Sequence, residues 1–324
     1  MSVSEPSNPP DALHAHSRLA RLQQGIVLLG LSLALGWWLA WHRTHPAWAW
    51  AGLLLLLCGH AIVLGLQFGM MRSVNRAAGA ATDGSLFAAW WREFRIATRV
   101  FGWWQPFRWR TWPDATVPAA PGRRAAVLVH GFVCNRGLWR PWMRALRRRG
   151  LPYTTVNLEP VFGSIDDYVP LIEDAVRRAE ALTGCPPLLV CHSMGGLAAR
   201  AWLAATPGAA TRVSAVVTIG TPHHGTWLAR FSHLTNGRQM RVGGAWLRAL
   251  EARESAGRRP PFVCWFSNAD NIVFPADTAR LAGADNRFLA GVPHVALAYH
   301  PTVMATSLAM LESADNSPSD RTAP

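Results

Sequence analysis

The sequence predicts an α/β fold, with a mostly parallel sheet covered by helices on both faces and preceded by a two-helix transmembrane hairpin. Three observations support this prediction. Two long apolar runs lie near the N-terminus, short apolar runs alternate with helical stretches after Arg124, and polar loops follow several of those runs. Alternating strands and helices are typical of a parallel sheet with helices on both faces. At 324 residues, half of them hydrophobic, the chain can form one large core with an appendage.

The first elements are two apolar runs, Leu22–Trp41 and Ala47–Met71. Each is about long enough to cross a membrane as a helix, which takes roughly 20 residues. The polar break between them, residues 42–46, is short, so we expect a tight hairpin over 22–71. Arginines flank the outer ends of the pair and only one lies in the break, so the positive-inside rule places the N-terminal tail (1–21) and the chain after the hairpin in the cytoplasm. The alternative interpretation is a signal peptide cleaved after the first run.

Residues 72–122 are predicted to form a basic, aromatic neck that ends in a linker rich in proline and alanine. Aromatic residues between Phe87 and Trp104 recur at helical spacing, with arginines between them. Such a helix either lies in the membrane interface or packs on the domain that follows. The formal net charge of +13 reflects either a coding bias towards arginine or attraction to anionic lipid headgroups. No nucleic-acid-binding motif is present, so nucleic acid is not an expected partner.

The body of the chain, residues 123–312, is expected to contain five strands separated by helices. Strands are predicted at residues 125–129, 153–158, 188–191, 213–219 and 262–266, and helices at 139–149, 164–182 and 195–205. Residues 227–257 interrupt this alternation and are expected to form a cap or, alternatively, a packed helix. Residues 313–324 are predicted to be a disordered tail. The five cysteines have irregular spacing, which indicates neither a disulfide framework nor a zinc site.

The strongest local motif is a serine between a strand and a helix, in Cys191-His192-Ser193-Met194-Gly195. A nucleophile elbow needs this arrangement, because the serine occupies a strained turn and the residues two before and two after it must be small. Gly195 satisfies that requirement, whereas Cys191 replaces the usual first glycine. A serine alone is a poor nucleophile, and an imidazole oriented by a carboxylate activates it. The pattern therefore predicts Ser193 as a nucleophile.

The acid and the base that would activate Ser193 are expected in loops later in the chain. Open α/β sheets place their sites at the carboxyl ends of the strands, and the chain order for such an elbow is serine, acid, histidine. Asp270 directly follows the predicted strand at 262–266 and is the predicted acid, with Asp277 in reserve. His294 lies in a loop before a terminal helix and is the predicted base, with His300 in reserve.

From about residue 123 to 308 the chain resembles the bacterial triacylglycerol lipases and the related inositol-deacylase-like group of α/β-hydrolases. The motifs that carry the resemblance are His130-Gly131-Phe132, Cys191-His192-Ser193-Met194-Gly195-Gly196 and the loop Thr218–Thr226. The resemblance implies the α/β-hydrolase fold and a carboxylic-ester hydrolase (lipase or esterase). It also implies that the backbone N–H groups of Phe132 and Met194 form the oxyanion hole.

The resemblance has consequences for the histidines and for metal binding. The loop Thr218–Thr226 is expected to line the site without taking part in the chemistry. Many of these lipases hold calcium through an aspartate two residues after the histidine base, but this chain has Ala296 there, so no metal is expected. A metal site at His223 and His224 is the alternative, and it lacks an evident partner carboxylate.

The sequence thus predicts a membrane-anchored serine hydrolase that cleaves lipid or other acyl esters through Ser193, Asp270 and His294, without a cofactor. Two alternatives remain open: an acyltransferase or thioesterase with the same triad, and a catalytically inactive membrane-bound interaction scaffold. The expected location is the bacterial inner (cytoplasmic) membrane, with the bilayer as a partner and the hydrolase domain in the cytoplasm. Removal of residues up to about Arg76 is expected to free the enzyme from the bilayer and to preserve activity on soluble short-chain esters.

Overall fold

The computed structural model describes residues 17–80, 84–117, 123–254 and 259–313. The predicted disordered tail at 313–324 lies outside the described residues except for its first residue, and so does most of the predicted N-terminal tail.

Several helices precede the sheet. They are α1 (Arg18–Trp41), α2 (Pro46–Cys58), α3 (His60–Ala77), α4 (Leu86–Arg99) and the short α5 (Gln105–Phe107), with a π-helical turn at Val100–Trp104 between the last two. The Trp37 indole of α1 donates to the Trp48 carbonyl of α2 at 2.9 Å, so these two helices pack side by side across the short break. Among the described residues, α1 is long and apolar enough to cross a membrane, whereas α2 and α3 would do so only together, as one broken span.

The second predicted span, residues 47–71, is not one straight helix. The axes of α2 and α3 differ by 57°, and Gly59 lies between them. A Cβ at this position would lie 2.5 Å from the Leu55 carbonyl oxygen, so only glycine fits the bend without a shift of its neighbours. Beyond the bend, Phe68 and Met71 are buried in a cluster with residues of the body. Packing on the body therefore sets the direction of α3, which apolar composition alone does not indicate.

Apolar side chains cover most of the surface of α1 and α2. Leu29 is 60% exposed and Leu55 is 59% exposed. The first turns of α1 differ, because Leu19 is buried and the Gln24 side-chain amide donates to the Pro106 carbonyl at 2.6 Å. A large exposed apolar surface marks a membrane or partner contact. The hairpin is thus docked on the body at one end, and its insertion into a membrane stays a prediction.

The neck helix α4 packs on the body through one face and exposes the other. Ala89 and Glu93 are buried, whereas Phe87 is 71% exposed and Trp91 45% exposed. The Trp90 indole donates to the backbone of α3 at 2.8 Å. The inner face of α4 therefore corresponds to the alternative in which the neck helix packs on the body. The outer face exposes aromatic and basic side chains.

Parallel strands form the centre of the body. They are β1 (Ala126–Val129), β2 (Tyr153–Val156), β3 (Leu188–His192), β4 (Ala215–Ile219), β5 (Phe262–Phe266) and β6 (Asp285–Phe288). The sheet order is β2-β1-β3-β4-β5-β6, and every neighbouring pair is parallel. The predicted parallel α/β sheet is confirmed, with all five predicted strands present. The sixth, β6, has no apolar run that would have indicated it, because it is a polar edge strand.

Helices cover both faces of the sheet, as apolar strands on both sides require. They are α6 (Arg140–Arg148), α7 (Val169–Thr183), α8 (Met194–Ala205), α9 (Thr235–Gln239), α10 (Ala245–Glu254), α11 (His294–Leu297) and α12 (Pro301–Glu312). One core cluster joins α7, α8 and α10 to the sheet, and the other joins α6 and α12 to its opposite face. The loops at the carboxyl ends of β1, β3 and β5, where the predicted site residues lie, therefore share one edge of the sheet.

Candidate active site

Ser193 lies on the tight turn between β3 and α8. Its φ is 55°, a left-handed value that is rare for a residue with a side chain and that marks local strain. A Cβ at Gly195 would lie 2.5 Å from the backbone oxygens of Val129 and His130, so only glycine fits there. Cys191, on the other side of the serine, is fully buried. Crowding of backbones around the turn therefore explains the small residues that flank the serine in the sequence.

Asp270 and His294 are in direct contact. The Nδ1–H group of His294 donates to Oδ2 of Asp270 at 2.8 Å, and both residues are buried. The other carboxylate oxygen, Oδ1, accepts the N–H groups of Ile272 at 2.9 Å and Val273 at 2.7 Å. Burial alone lowers the pKa of His294, but the charge and the hydrogen bond of Asp270 outweigh it, so the pKa lies above its usual value. A fixed carboxylate therefore orients the imidazole and favours its charged form.

The reserve residues lie apart from this pair. The Asp277 side chain is 72% exposed and forms a surface ion pair with Arg280 at 3.4 Å. His300 occupies the N-cap position of α12 without a side-chain capping hydrogen bond, and burial together with the charge of Arg92 lowers its pKa. Among the described residues, neither reserve residue forms a hydrogen bond or an ion pair with the predicted triad, so the geometry favours Asp270 as the acid.

Ser193 and the Asp270–His294 pair approach each other at the ends of β3 and β4. The Ser193 N–H group donates to the Ile219 carbonyl at 2.9 Å. At the next residue, Gly220, a Cβ would lie 2.9 Å from Asp270 Oδ2 and 3.1 Å from His294 Nδ1. No hydrogen bond joins the Ser193 hydroxyl to His294 in the described part of the chain. In enzymes without a substrate such bonds are often long and shorten only in the reacting complex.

The predicted oxyanion loop follows β1 and passes beside the serine. A Cβ at Gly131 would lie 2.7 Å from Cβ of Ser193, and Val133 turns the loop with a φ of 53°. Among the described residues, the N–H groups of Phe132 and Met194 donate to no protein acceptor. Two N–H donors beside a serine suit the negatively charged oxygen of a tetrahedral intermediate.

Two histidines of these loops form structural contacts. His130 accepts a hydrogen bond from the Leu158 N–H group at 3.1 Å, and burial lowers its pKa to about 4. His192 donates to the His294 carbonyl oxygen at 3.2 Å, and its pKa lies well below the usual value, mainly because of burial. Both imidazoles are therefore neutral near pH 7, and each ties one site loop to a neighbour.

The two candidate metal positions have other partners. His223 is buried and shares a hydrogen bond with Thr218 at 3.0 Å, whereas His224 is exposed and pairs with Glu251 at 3.1 Å. At the position where the resemblance places a calcium ligand, the Ala296 N–H group donates to a glutamate of α4 at 3.1 Å. No group of three or more His, Cys, Asp or Glu side chains placed to hold a metal ion occurs among the described residues.

The sequence did not indicate three buried polar side chains that the N-terminal helices contribute to the site loops. They are Asn75, Glu93 and Gln105, each at most 1% exposed. Asn75 donates to the Asn268 carbonyl at 3.0 Å and accepts the N–H group of Ala276 at 3.1 Å, so it bridges the two ends of the loop that carries the predicted acid.

The other two side chains support the remaining loops. Glu93 accepts two N–H groups directly after His294, and Gln105 accepts the Asn135 N–H group at 2.8 Å, behind the oxyanion loop. A buried polar group that loses its partner costs about 1–3 kcal/mol, so these contacts help to fix the loops. In the sequence, one local feature could have indicated such a contact. Glu93 is a lone carboxylate between Ala89 and Ala97, on the face of a basic helix that otherwise carries small residues.

These contacts bear on the expectation that the anchor can be removed without loss of activity, which stays a prediction. Gln67 of α3 accepts a hydrogen bond from the Asn271 side chain at 2.9 Å, next to the predicted acid. Truncation up to about Arg76 would remove both this contact and the bridge formed by Asn75. We therefore expect the shortened chain to lose its apolar hairpin and also the geometry of residues 267–276, the loop that carries Asp270, which we call the acid loop.

The described part of the predicted cap (227–257), residues 227–254, has two segments, and residues 255–257 lie outside the described residues. Trp227, in a short 3-10 turn, stacks on Phe274 of the acid loop with 5.9 Å between ring centroids, and Phe231 in the same turn is 61% exposed. The second part contains α10, whose Leu250 is buried in the core. The first part thus borders the candidate site and the second is packed helix, while the function of a cap stays a prediction.

A protein family and several solved structures are similar to this chain. Residues 126–322, more than half of the chain, match the alpha/beta hydrolase family. No curated protein matches the sequence. Lipase BlEst2 of Bacillus licheniformis in its mature form is similar in structure, with 18% identity, a TM-score of 0.54, and coverage of 62% of this chain and 97% of that one. Lipase B of Aspergillus fumigatus has 17% identity and a TM-score of 0.51 over 61% of this chain and 55% of that one. At such identities the likeness concerns the fold, and it agrees with the predicted α/β-hydrolase fold.

Proposed function

Because the chain belongs to the alpha/beta hydrolase family, we propose that it is a membrane-anchored serine hydrolase that cleaves the carboxylic esters of lipids or other acyl esters. One observation carries the proposal: a serine on a strained turn lies beside a buried Asp270–His294 pair and two N–H groups that have no protein acceptor among the described residues. Acyl transfer needs these parts together, namely a nucleophile, an oriented base and donors for the developing negative charge.

The proposed reaction follows from the positions of these groups. Ser193 Oγ attacks the acyl carbonyl carbon while His294 Nε2 takes the hydroxyl proton, and Asp270 stabilises the imidazolium that forms. The N–H groups of Phe132 and Met194 bind the oxyanion of the tetrahedral intermediate. The imidazolium then protonates the leaving alcohol. Water attacks the acyl-enzyme by the same steps, which releases the acid and restores the serine.

Aromatic side chains beside the oxyanion loop favour an apolar acyl group. Phe132 and Phe162 pack edge to face with 6.1 Å between ring centroids, and Phe162 is 42% exposed. Exposed aromatic rings at the rim of a site gain free energy by covering an acyl chain, at roughly 25 cal/mol for each Å² of apolar surface removed from water. This surface supports an ester with a hydrocarbon acyl chain as the substrate.

Attachment to a membrane is supported by the exposed hairpin and by a basic cleft. The cleft, of about 520 Å³, lies between α4 and the segment before α12 and is lined by Arg92, Arg95 and Arg99; we call it the arginine cleft. Trp91 also lines it and is 45% exposed. Arginine is attracted to anionic headgroups and tryptophan is enriched at the membrane interface. We propose that the cleft faces the cytoplasmic leaflet of the inner membrane, as the distribution of arginines around the hairpin indicates.

The test is hydrolysis of an ester panel graded by acyl chain length, with the full-length protein in detergent micelles. We expect turnover of at least one ester and a loss of about 10⁴- to 10⁶-fold in Ser193→Ala. Ser214→Ala is the matched control, because that hydroxyl bonds the Pro187 carbonyl at 3.1 Å, at the amino end of β4. An acceptor alcohol in the same assay separates hydrolysis from acyl transfer. Native-like turnover in Ser193→Ala would contradict the proposal.

A further inference from the structure

Glu93 links the neck helix to the loop of the proposed base. It lies on the buried face of α4 and is 1% exposed. Its Oε1 accepts the N–H group of Val295 at 2.8 Å and its Oε2 accepts that of Ala296 at 3.1 Å. These are the two residues that follow His294. One donor on each oxygen matches an ionised carboxylate, in which both oxygens are acceptors.

We propose that Glu93 is a positioning residue for the hydrolase reaction, which fixes the backbone beside His294 and supplies a second negative charge that favours the imidazolium formed during proton transfer. This inference rests on the proposed function. Asp270 acts on the ring directly, whereas Glu93 acts through the backbone and through its charge. Since Glu93 belongs to α4, the base is in position only while the neck is docked on the body.

The negative charges of Asp270 and Glu93 both raise the pKa of His294. Burial raises the pKa of Glu93 to about 7, although the hydrogen bond from Val295 lowers it. The charge of Glu93 adds to that of Asp270 in raising the pKa of His294 against the effect of burial. Removal of the Glu93 charge should therefore lower the pKa of His294.

Other titratable groups near the pair do not supply this charge. Those that face it from other elements are Asp270 on the acid loop, His192 at the elbow and Tyr299 after α11, while Arg92 and His300 lie at the arginine cleft. Burial keeps the pKa of His192 well below its usual value and that of Tyr299 well above it, so both are neutral near pH 7. The negative charges beside the imidazole are therefore that of Asp270 and, as the pH rises through about 7, that of Glu93.

The experiment is an NMR titration of the His294 imidazole in full-length, ¹⁵N-histidine-labelled Ser193→Ala protein in detergent micelles. The signal is assigned by its loss in His294→Gln. Adding Glu93→Gln should move the His294 midpoint to lower pH by up to about one unit, which corresponds to a tenfold change in the protonation equilibrium. The matched control is Glu173→Gln, which removes a carboxylate bonded to Trp202 and Arg212 on the opposite face of the sheet. This control should leave the midpoint unchanged.

The outcomes are distinct. An unchanged midpoint in folded Glu93→Gln would overturn the inference, because the loss of a negative charge beside the imidazole should lower its midpoint. If Glu93→Gln does not fold, Glu93→Asp keeps the charge and should hold the midpoint close to that of the parent, and a large fall there would overturn the inference as well. The proposed function is tested separately on the native chain with a fluorophosphonate, which reports serine reactivity. Absence of that reaction with a midpoint that still shifts would reject the function and keep the link between Glu93 and His294.

Discussion

Replacing Asp270 with asparagine tests whether the carboxylate sets the orientation and the tautomer of the His294 imidazole. Oδ1 of Asp270 already accepts the N–H groups of Ile272 and Val273, so the amide oxygen of Asp270→Asn must take that position. The amide NH₂ group then faces His294 Nδ1, which has to become an acceptor. The ring proton moves to Nε2, where it prevents the ring from accepting the proton of Ser193. In a serine triad, loss of the correct tautomer lowers turnover by about 10⁴-fold, or roughly 5 kcal/mol in activation free energy.

The assay is steady-state turnover of the best ester in the panel, with thermal unfolding of each variant as a check on folding. Asp277→Asn is the matched control, because Asp277 is exposed and pairs only with Arg280 among the described residues. It should retain native turnover. Native-like turnover in Asp270→Asn together with an inactive Asp277→Asn would refute the reasoning and assign the acid to Asp277.

Three further predictions concern the support of the loops, the base and the membrane. Asn75→Leu should lower the free energy of unfolding by roughly 2–6 kcal/mol, since two buried backbone groups lose a partner at about 1–3 kcal/mol each; an unchanged midpoint in chemical denaturation would contradict this. The value of kcat/KM should fall with decreasing pH through a midpoint above 6.5, because His294 must be neutral to accept a proton and its pKa is raised. A midpoint below 6.5 would count against that assignment. Changing all three arginines of the arginine cleft to glutamine should weaken binding to anionic phospholipid vesicles about 10²-fold, at roughly 1 kcal/mol for each arginine. Flotation measures this binding, neutral vesicles serve as the control, and equal binding by both proteins would contradict the role of the cleft.

The features that the sequence predicted well have local causes. β5 occupies residues 262–266, as predicted, because a short apolar run between polar loops has few alternatives to a buried strand. The turn that carries the serine could also be predicted from the sequence, because crowding against the backbone of Val129 and His130 requires glycine at position 195. Asp270 could be chosen over Asp277 because it is the fourth residue after that strand, and its contact with His294 agrees with the choice.

The features that the sequence missed depend on contacts between distant segments. Glu93 lies 202 residues before its partner Val295, and Asn75 lies 193 residues before Asn268, so no local periodicity reports either bond. The bend at Gly59 has the same origin, because packing of α3 on the body sets the direction of that helix and composition does not. The hairpin and neck therefore looked separable from the hydrolase domain, although their polar side chains hold its loops.

The central claim is that Ser193 is the reactive nucleophile, and covalent labelling tests it most directly. The folded full-length protein is treated with a fluorophosphonate, and the modified peptide is mapped by mass spectrometry. We expect one modified residue, Ser193, with no labelling in Ser193→Ala and much slower labelling in Asp270→Asn. Modification of a different residue, or no reaction in folded protein, would contradict it.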